Sequence, residues 1–326
     1  MHKILGAVLA VMIGAAGLFT TGLAMAEPAP LRIATQVTGT VNWELTTITA
    51  QGFDTAHGLA FEVRDVDAGP AAQIALLAGE ADVIVSDWLW VARQRAEGRD
   101  LVFLPYSRAV GALHVKADSP VQALADLKGK RIGVAGGPVD KSWLILRAYA
   151  QEQGFDLAGE TEQVFGAPPL IFEAALSGEV DAAVNFWHFG AKMEAAGLRP
   201  VVTVAQAGAA LGLDPNTPLL GYVFDAKLLR DQPQAVEGLA RASRAAKDLL
   251  ATDDAAWQAL RPQMNAKTDA QFEALKAGFR NGIPAPGPVD EAAAARMLAL
   301  MVRLGGAELM GEVTSLPAGL FYTAPQ

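Results

Sequence analysis

The sequence predicts an α/β protein of two related lobes, each a mostly parallel sheet flanked by helices, followed by a helical C-terminal third. Two observations carry the lobes. The stretch Ala75-Leu76-Leu77-Ala78-Gly79-Glu80-Ala81-Asp82-Val83-Ile84-Val85-Ser86-Asp87-Trp88 recurs as Ala174-Ala175-Leu176-Ser177-Gly178-Glu179-Val180-Asp181-Ala182-Ala183-Val184-Asn185-Phe186-Trp187. The offset from Gly79 to Gly178, 99 residues, also aligns Arg32-Ile33 with Arg131-Ile132, Pro70 with Pro169 and Gly98 with Gly197. Repeats of that length suit two lobes rather than solenoid units. The second observation is that short apolar runs alternate with helix-like runs up to about residue 204, the signature of parallel sheets with helical crossovers.

In chain order, residues 1–26 read as a signal peptide: Lys3, an apolar or small run from Ile4 to Phe19, and Ala24-Met25-Ala26 before Glu27, with an uncleaved membrane anchor as the alternative because the apolar run approaches spanning length. Leu31–Thr35 is a strand, 36–40 a loop, and a helix runs to about Gln51. A strand over Leu59–Val66 follows, then the first copy's helix over Pro70–Ala78 and strand over Val83–Val85. Strands are expected at Leu101–Pro105 and Ala109–Val115. The unit restarts with a strand at 130–134, a helix over 140–153, a strand at 162–165, the second copy, and a strand near 201–204. Residues 207–218, rich in Gly and Pro, form a return connection. Pro233, the Thr268–Gln271 spacing and Pro288-Val289-Asp290 then mark successive helix starts. This last third shows no chemistry.

Composition narrows the function. The 326 residues are 52% apolar and 19% charged, with a formal charge of −9 that becomes −10 once Lys3 is removed. That balance excludes a nucleic-acid partner, which needs clustered Lys and Arg. The absence of Cys excludes a disulfide framework, a thiol nucleophile and a lipid-modified cysteine. No cofactor or metal is implied.

In open parallel sheets ligands bind beyond the carboxyl ends of the strands. Four such loops are expected, at 35–43, 86–90, 135–143 and 185–189. Five of the six Trp residues, Trp43, Trp88, Trp90, Trp143 and Trp187, fall in them. The candidate ligand-binding residues are Gln36, Thr38, Asn42, Trp43, Ser86, Asp87, Trp88, Gly136, Gly137, Asp140, Lys141, Asn185, Trp187 and His188. Asp87 and Asp140 suit helix N-caps as well as a site. The Gly136-Gly137 turn could present N–H groups to an anion but lacks nucleotide-loop spacing. No Ser–His pairing with motif support exists, so a catalytic triad is not indicated.

With these residues in view, the chain resembles the periplasmic substrate-binding proteins of ABC importers, in the nitrate/sulfonate/taurine/thiamine-precursor group. The likeness rests on the Leu77-Ala78-Gly79-Glu80-Ala81-Asp82 cassette, on Asp118-Ser119-Pro120 with Ala125-Asp126-Leu127-Lys128-Gly129-Lys130-Arg131-Ile132-Gly133-Val134, and on Gly221-Tyr222-Val223-Phe224. The resemblance implies a two-lobe type II periplasmic-binding fold closing about crossings near 105–112 and 205–222. One lobe would comprise 27–108 with 222–326 and the other 109–221. It further implies an exported monomer, a small-molecule ligand, and a permease with its ATPase as partners.

The cleft departs from better-known members. Trp43, Trp88, Asp87 and Trp187 offer fewer basic or hydroxylic groups than a sulfonate or nitrate site needs. Trp faces attract π-systems and cations while Asp87 and Asp140 would repel an anion, so a heteroaromatic or cationic ligand such as a thiamine-precursor pyrimidine leads. The alternative is a sulfonate- or nitrate-type anion held by the Gly136-Gly137 helix start with Lys141. The competing functions are a pyrimidine-synthase-like enzyme, which resembles this group but uses a Cys-rich motif, and a ligand-sensing module for a membrane receptor.

Overall fold

The computed structural model describes residues 28–323; the proposed signal peptide lies outside the described residues. The chain runs β1 (Ala29–Gln36), α1 (Val41–Gln51), α2 (Phe53–Ala56), β2 (Leu59–Val66), α3 (Gly69–Leu77), β3 (Val83–Asp87), α4 (Trp88–Ala96) and β4 (Leu101–Ser107). It continues through β5 (Ala112–Lys116), β6 (Arg131–Ala135), α5 (Lys141–Glu152), β7 (Glu162–Gly166), α6 (Pro168–Ser177), β8 (Ala182–Asn185), α7 (Trp187–Ala195) and β9 (Leu198–Thr203). Then come α8 (Val204–Ala210), β10 (Leu220–Asp225), α9 (Ala226–Asp231), α10 (Pro233–Thr252), α11 (Asp254–Leu260), α12 (Asp269–Gly282) and α13 (Glu291–Met310).

These strands form two five-stranded sheets with one plan. The first has the order β2-β1-β3-β10-β4 and the second β7-β6-β8-β5-β9. In each, the three strands at one end pair in parallel and the fourth position holds a reversed strand, β10 in the first sheet and β5 in the second. The reversal follows from connectivity. A chain leaving β4 at its carboxyl end crosses through residues 108–111 and enters the second sheet from the side facing the first. It must therefore run β5 away from its starting side, and β10 does the same on the return.

The repeated residues turn out to hold each sheet in register. Asp82 accepts from the backbone N–H and Nε of Arg32, both at 3.0 Å, and its own N–H donates to the Arg32 carbonyl at 2.9 Å. Asp181 repeats this on Arg131, accepting its N–H at 2.9 Å and donating back at 2.9 Å. The guanidinium of each Arg also reaches a carbonyl of the preceding turn, Gly79 or Glu179, at 3.0 Å. Gly79 and Gly178 turn the chain out of α3 and α6 at φ 74° and 82°, a left-handed conformation that glycine adopts freely. The duplicated cassette is thus a clamp between neighbouring parallel strands.

Three of the differences from the sequence reading bear on the crossings and the C-terminal helices. Residues 204–210 form a helix where only a connection was expected, because Thr203 and Gln206 close a capping box, Oγ1 accepting the Gln206 N–H at 3.0 Å and Oε1 accepting the Thr203 N–H at 2.9 Å. β5 starts at Ala112 rather than Ala109, the intervening residues being the crossing. α13 runs past Leu304 to Met310 across a break at Gly306.

One core is continuous through both sheets, taking in Ile84, Trp88, Phe103, Leu113, Ile132, Val134 and Trp143. Another fills the space between the first sheet and α1, α10, α11 and α12. At its centre Glu44, fully buried, receives Tyr222 Oη and Ser243 Oγ at 2.7 Å and Lys247 Nζ at 2.7–2.8 Å. The Lys247 ammonium also stands 4.9 Å from the Tyr106 ring centre. A buried ion pair is tolerable only when both members remain. Lys247→Met should lower unfolding free energy by about 3–5 kcal/mol, and adding Glu44→Gln should recover most of it, since Gln still accepts from Tyr222 and Ser243. Urea denaturation of the single and double variants checks this.

Candidate functional site

The largest cavity described lies between the lobes and measures about 1210 Å³. The first sheet's side contributes the loop after β1, one face of α1, β2 and the stretch ahead of α12; the second sheet's side contributes α6 and α7. Its walls are aromatic: Trp43 and Phe61 on one side, Phe172 and Phe189 on the other. The Phe172 and Phe189 rings meet at 5.9 Å between centres.

Of the residues the sequence singles out, Thr38, Asn42, Trp43 and His188 line this cavity. Asn42 is already engaged as a brace, its Oδ1 accepting Thr35 Oγ1 at 2.6 Å and its Nδ2 donating to the Gln36 carbonyl at 2.9 Å. The Gln36 side chain lies against Gly69 instead of in the cavity lining. Trp43 is nearly buried, edge-on to Trp187 at 6.1 Å and to Trp257 at 6.0 Å, and shows the cavity little of its face. The His188 ring sits among Phe186, Trp187 and Phe189. Burial, with the nearby Lys192 charge adding to it, pushes that ring down to about 3, so it is neutral near pH 7.

The remaining candidates serve local structure. Ser86 is buried and hydrogen-bonded by Gln73 Nε2 at 3.1 Å. Asn185 is buried, donating to the Pro168 carbonyl at 2.9 Å and accepting the Phe186 N–H at 2.8 Å. Asp87 and Asp140 cap α4 and α5, accepting the N–H groups of Trp90 at 2.9 Å and Trp143 at 3.1 Å. The second Asp87 oxygen accepts Lys141 Nζ at 2.8 Å, tying the start of α4 to the start of α5 across the two lobes. Burial opposes the Lys141 charge, but Asp87 and Asp140 outweigh it and hold the ammonium pKa above its ordinary value. Burial raises the Asp140 carboxyl. Gly136 turns into α5 at φ 97° with Asp140 alongside, and Gly137 faces open space. The two carboxylates expected to repel an anion are thus a cap with an ammonium partner and a half-buried cap.

The Trp residues divide. Trp88 and Trp143 are buried in the core that runs through both sheets, correcting the expectation that Trp88 walls a cleft. Trp88 and Trp187 hold the same position, first residue of α4 and of α7, yet meet different partners. Trp88 is covered by Phe321 near the C-terminus, ring centres 5.8 Å apart. Trp187 instead seats on α12 at Gly278, where a Cβ would stand 2.6 Å from its ring. It joins the lobes and is not open to the cavity.

Sequence reasoning missed Lys192 on α7, Glu173 and Phe172 on α6, Asp65 on β2, and Gln263, Asn265 and Lys267 ahead of α12, all of which line the cavity. Nothing in their local spacing marks them, because long-range packing alone brings them together.

Two outcomes follow. Trp88→Ala should cost stability by about 3–5 kcal/mol, as for a large core ring, while Trp187→Ala should cost less and disturb the α7–α12 contact; thermal unfolding of both measures it. For His188 the folded pKa lies below the unfolded 6.5. Its contribution is therefore complete above pH 6.5 and is lost as pH falls toward 3, where the unfolded chain binds the proton first. His188→Gln should flatten the stability–pH profile over that window; equal slopes in both proteins would refute the assignment.

In fold, the structure aligns with the alkanesulfonate-binding protein SsuA from Xanthomonas axonopodis pv. citri bound to MOPS, at TM-score 0.69 and 20% identity, covering 92% of this chain and 100% of that one. It aligns with the periplasmic aliphatic sulphonate-binding protein SsuA from Escherichia coli at TM-score 0.73 and 19% identity, over 92% and 94% of the two chains. DszB, solved as a cysteine-to-serine variant with biphenyl-2-sulfinic acid, aligns at TM-score 0.59 and 20% identity over 90% and 95%. No curated protein sequence matches the chain. These likenesses show the two-lobe type II periplasmic-binding fold. Residues 44–256, more than half of the sequence, match the family described as NMT1/THI5 like, and the chain belongs to that family.

Proposed function

We propose that this chain is an exported solute-binding protein that captures a small molecule between its lobes and delivers it to an ABC import permease with its ATPase. One observation carries the reading: the largest described cavity, about 1210 Å³, is lined from both lobes. Ligand pockets typically span about 300–1,000 Å³; this larger space leaves room for a ligand that touches both lobes. A molecule that binds the closed arrangement better than the open one draws the lobes together by that difference in affinity. Export is supported by the basic, apolar and small-x-small pattern of the first 26 residues. The described residues contain no helix long and apolar enough to cross a membrane.

The aromatic walls favour a ligand with a flat ring, and a thiamine-precursor pyrimidine fits that description better than a short alkanesulfonate does. We propose binding without turnover by a monomer. The chain lacks any cysteine, and the one histidine in the cavity lining is held neutral among aromatic rings.

Two measurements test this. Small-angle scattering should show a smaller radius of gyration when a binding ligand is added, and binding with an unchanged radius would refute capture between the lobes. Tryptophan fluorescence titrations with aminopyrimidines, and separately with taurine and short alkanesulfonates, should give tight binding in the first series; tight binding only in the second would overturn the ring preference.

A further inference from the structure

Among the described residues, two lysines in the cavity lining have no carboxylate partner. Lys192, on the second turn of α7, and Lys267, just ahead of α12, both face this space, and neither forms an ion pair among the described residues. Most other lysines shown have a carboxylate close by, as Lys128, Lys141, Lys227, Lys247 and Lys276 do. The two come from opposite sides of the cleft. Lys192 Nζ reaches only the Asn265 carbonyl, at 3.1 Å, and stands 5.7 Å from the Phe189 ring centre. Burial lowers its pKa, and repulsion from the Lys267 ammonium lowers it further. The two cations thus stand near one another with no paired carboxylate among the described residues, and Coulomb repulsion at the edge of a low-dielectric space opposes any closer approach of the two walls.

We propose that Lys192 and Lys267 form an anion site at the α12 end of the inter-lobe cavity, taking the oxyacid group of a ligand whose aromatic body lies along Phe189 and Phe172. This rests on capture between the lobes and adds one group to the ring ligand proposed above: a flat ring, a pyrimidine included, that bears a sulfonate, carboxylate or phosphate and binds more tightly than the same ring without it. The anion supplies the charge that the two ammonium groups lack, so that closure and anion binding become one event. Phe189 and Phe172, in contact with each other on the same wall as Lys192, form an apolar track leading from the cations toward Glu173. Asp65 on β2 and Glu173 on α6 also line the cavity and have no ion-pair partner among the described residues.

The test uses calorimetric titration of the full protein with naphthalene-2-sulfonate, naphthalene-2-carboxylate and the neutral 2-naphthylmethanol, together with scattering measurements of compaction. The wild type should bind both anions at least 10-fold tighter than the alcohol, with affinity falling as salt is raised. Lys192→Gln with Lys267→Gln should remove that preference by weakening the anions at least 10-fold, while the alcohol binds no more weakly than to the wild type because the repulsion is gone, and Lys192→Arg with Lys267→Arg should restore it. Wild-type indifference to the anions, or a Gln variant that binds them as the wild type does, overturns the lysine site. Compaction persisting in such a variant leaves capture between the lobes standing. Anion binding that depends on the lysines without compaction would keep the site and reject the capture.

Discussion

Everything in this fold answers to the requirement that two sheets, each with four of its five strands running one way, face each other across a chain that must cross between them. Residues 108–111 carry the chain over and the segment after β9 brings it back. Each crossing forces one reversed strand into the fourth place of the sheet it enters. Because β5 and β10 run backward, the others can keep their carboxyl ends and helix starts turned toward the partner lobe. The cleft is a by-product of that arrangement, and its lining is whatever the loops, α1, α6, α7 and the segment ahead of α12 present there.

The repeat was the most legible feature of the sequence, and the structure shows what it encodes. Arg32 with Asp82, and Arg131 with Asp181, lock neighbouring parallel strands, and the glycines at the ends of α3 and α6 make the turn into the clamp. Such residues recur at one offset because both lobes solve the same backbone problem. The tryptophans at the end of each copy recur too, but their surroundings do not. Trp88 lies beneath Phe321, a residue more than two hundred positions away, and Trp187 lies on Gly278. Position in the repeat fixes which residue starts a helix; what covers it is decided by chain that has no counterpart in the other lobe. For the same reason the final third looked chemically empty. Lys267 gains meaning only when α12 is laid beside α7.

The polar residues of the cleft divide by whether the fold already uses them. Asp87, Asp140, Asn42, Asn185 and Ser86 are committed to caps, braces and the Lys141 pairing, and their hydrogen-bonding capacity is largely spent. Residue type and loop position could not distinguish a committed carboxylate from a free one. Capping is a short-range event readable from a strand followed by Asp and a helical run, but the lysine that neutralises Asp87 comes from the other lobe.

The bridge between Phe103 and Phe321, with the Tyr322 N–H donating to the Phe103 carbonyl, has a bearing on how the molecule is made. The second sheet is assembled from one unbroken stretch, β5 to β9, and can form as soon as that stretch is available. The first cannot: it waits for β10 to enter between β3 and β4, and for the last described residues to seal the outer side of β4. Loop closure over such separations is slow, and an unpaired strand edge left waiting invites association with other chains. The early half of the polypeptide is therefore the late half of the folded protein, and cutting away Phe321 and Tyr322 would be felt first at β4, the edge strand of the first sheet, rather than where the cut was made.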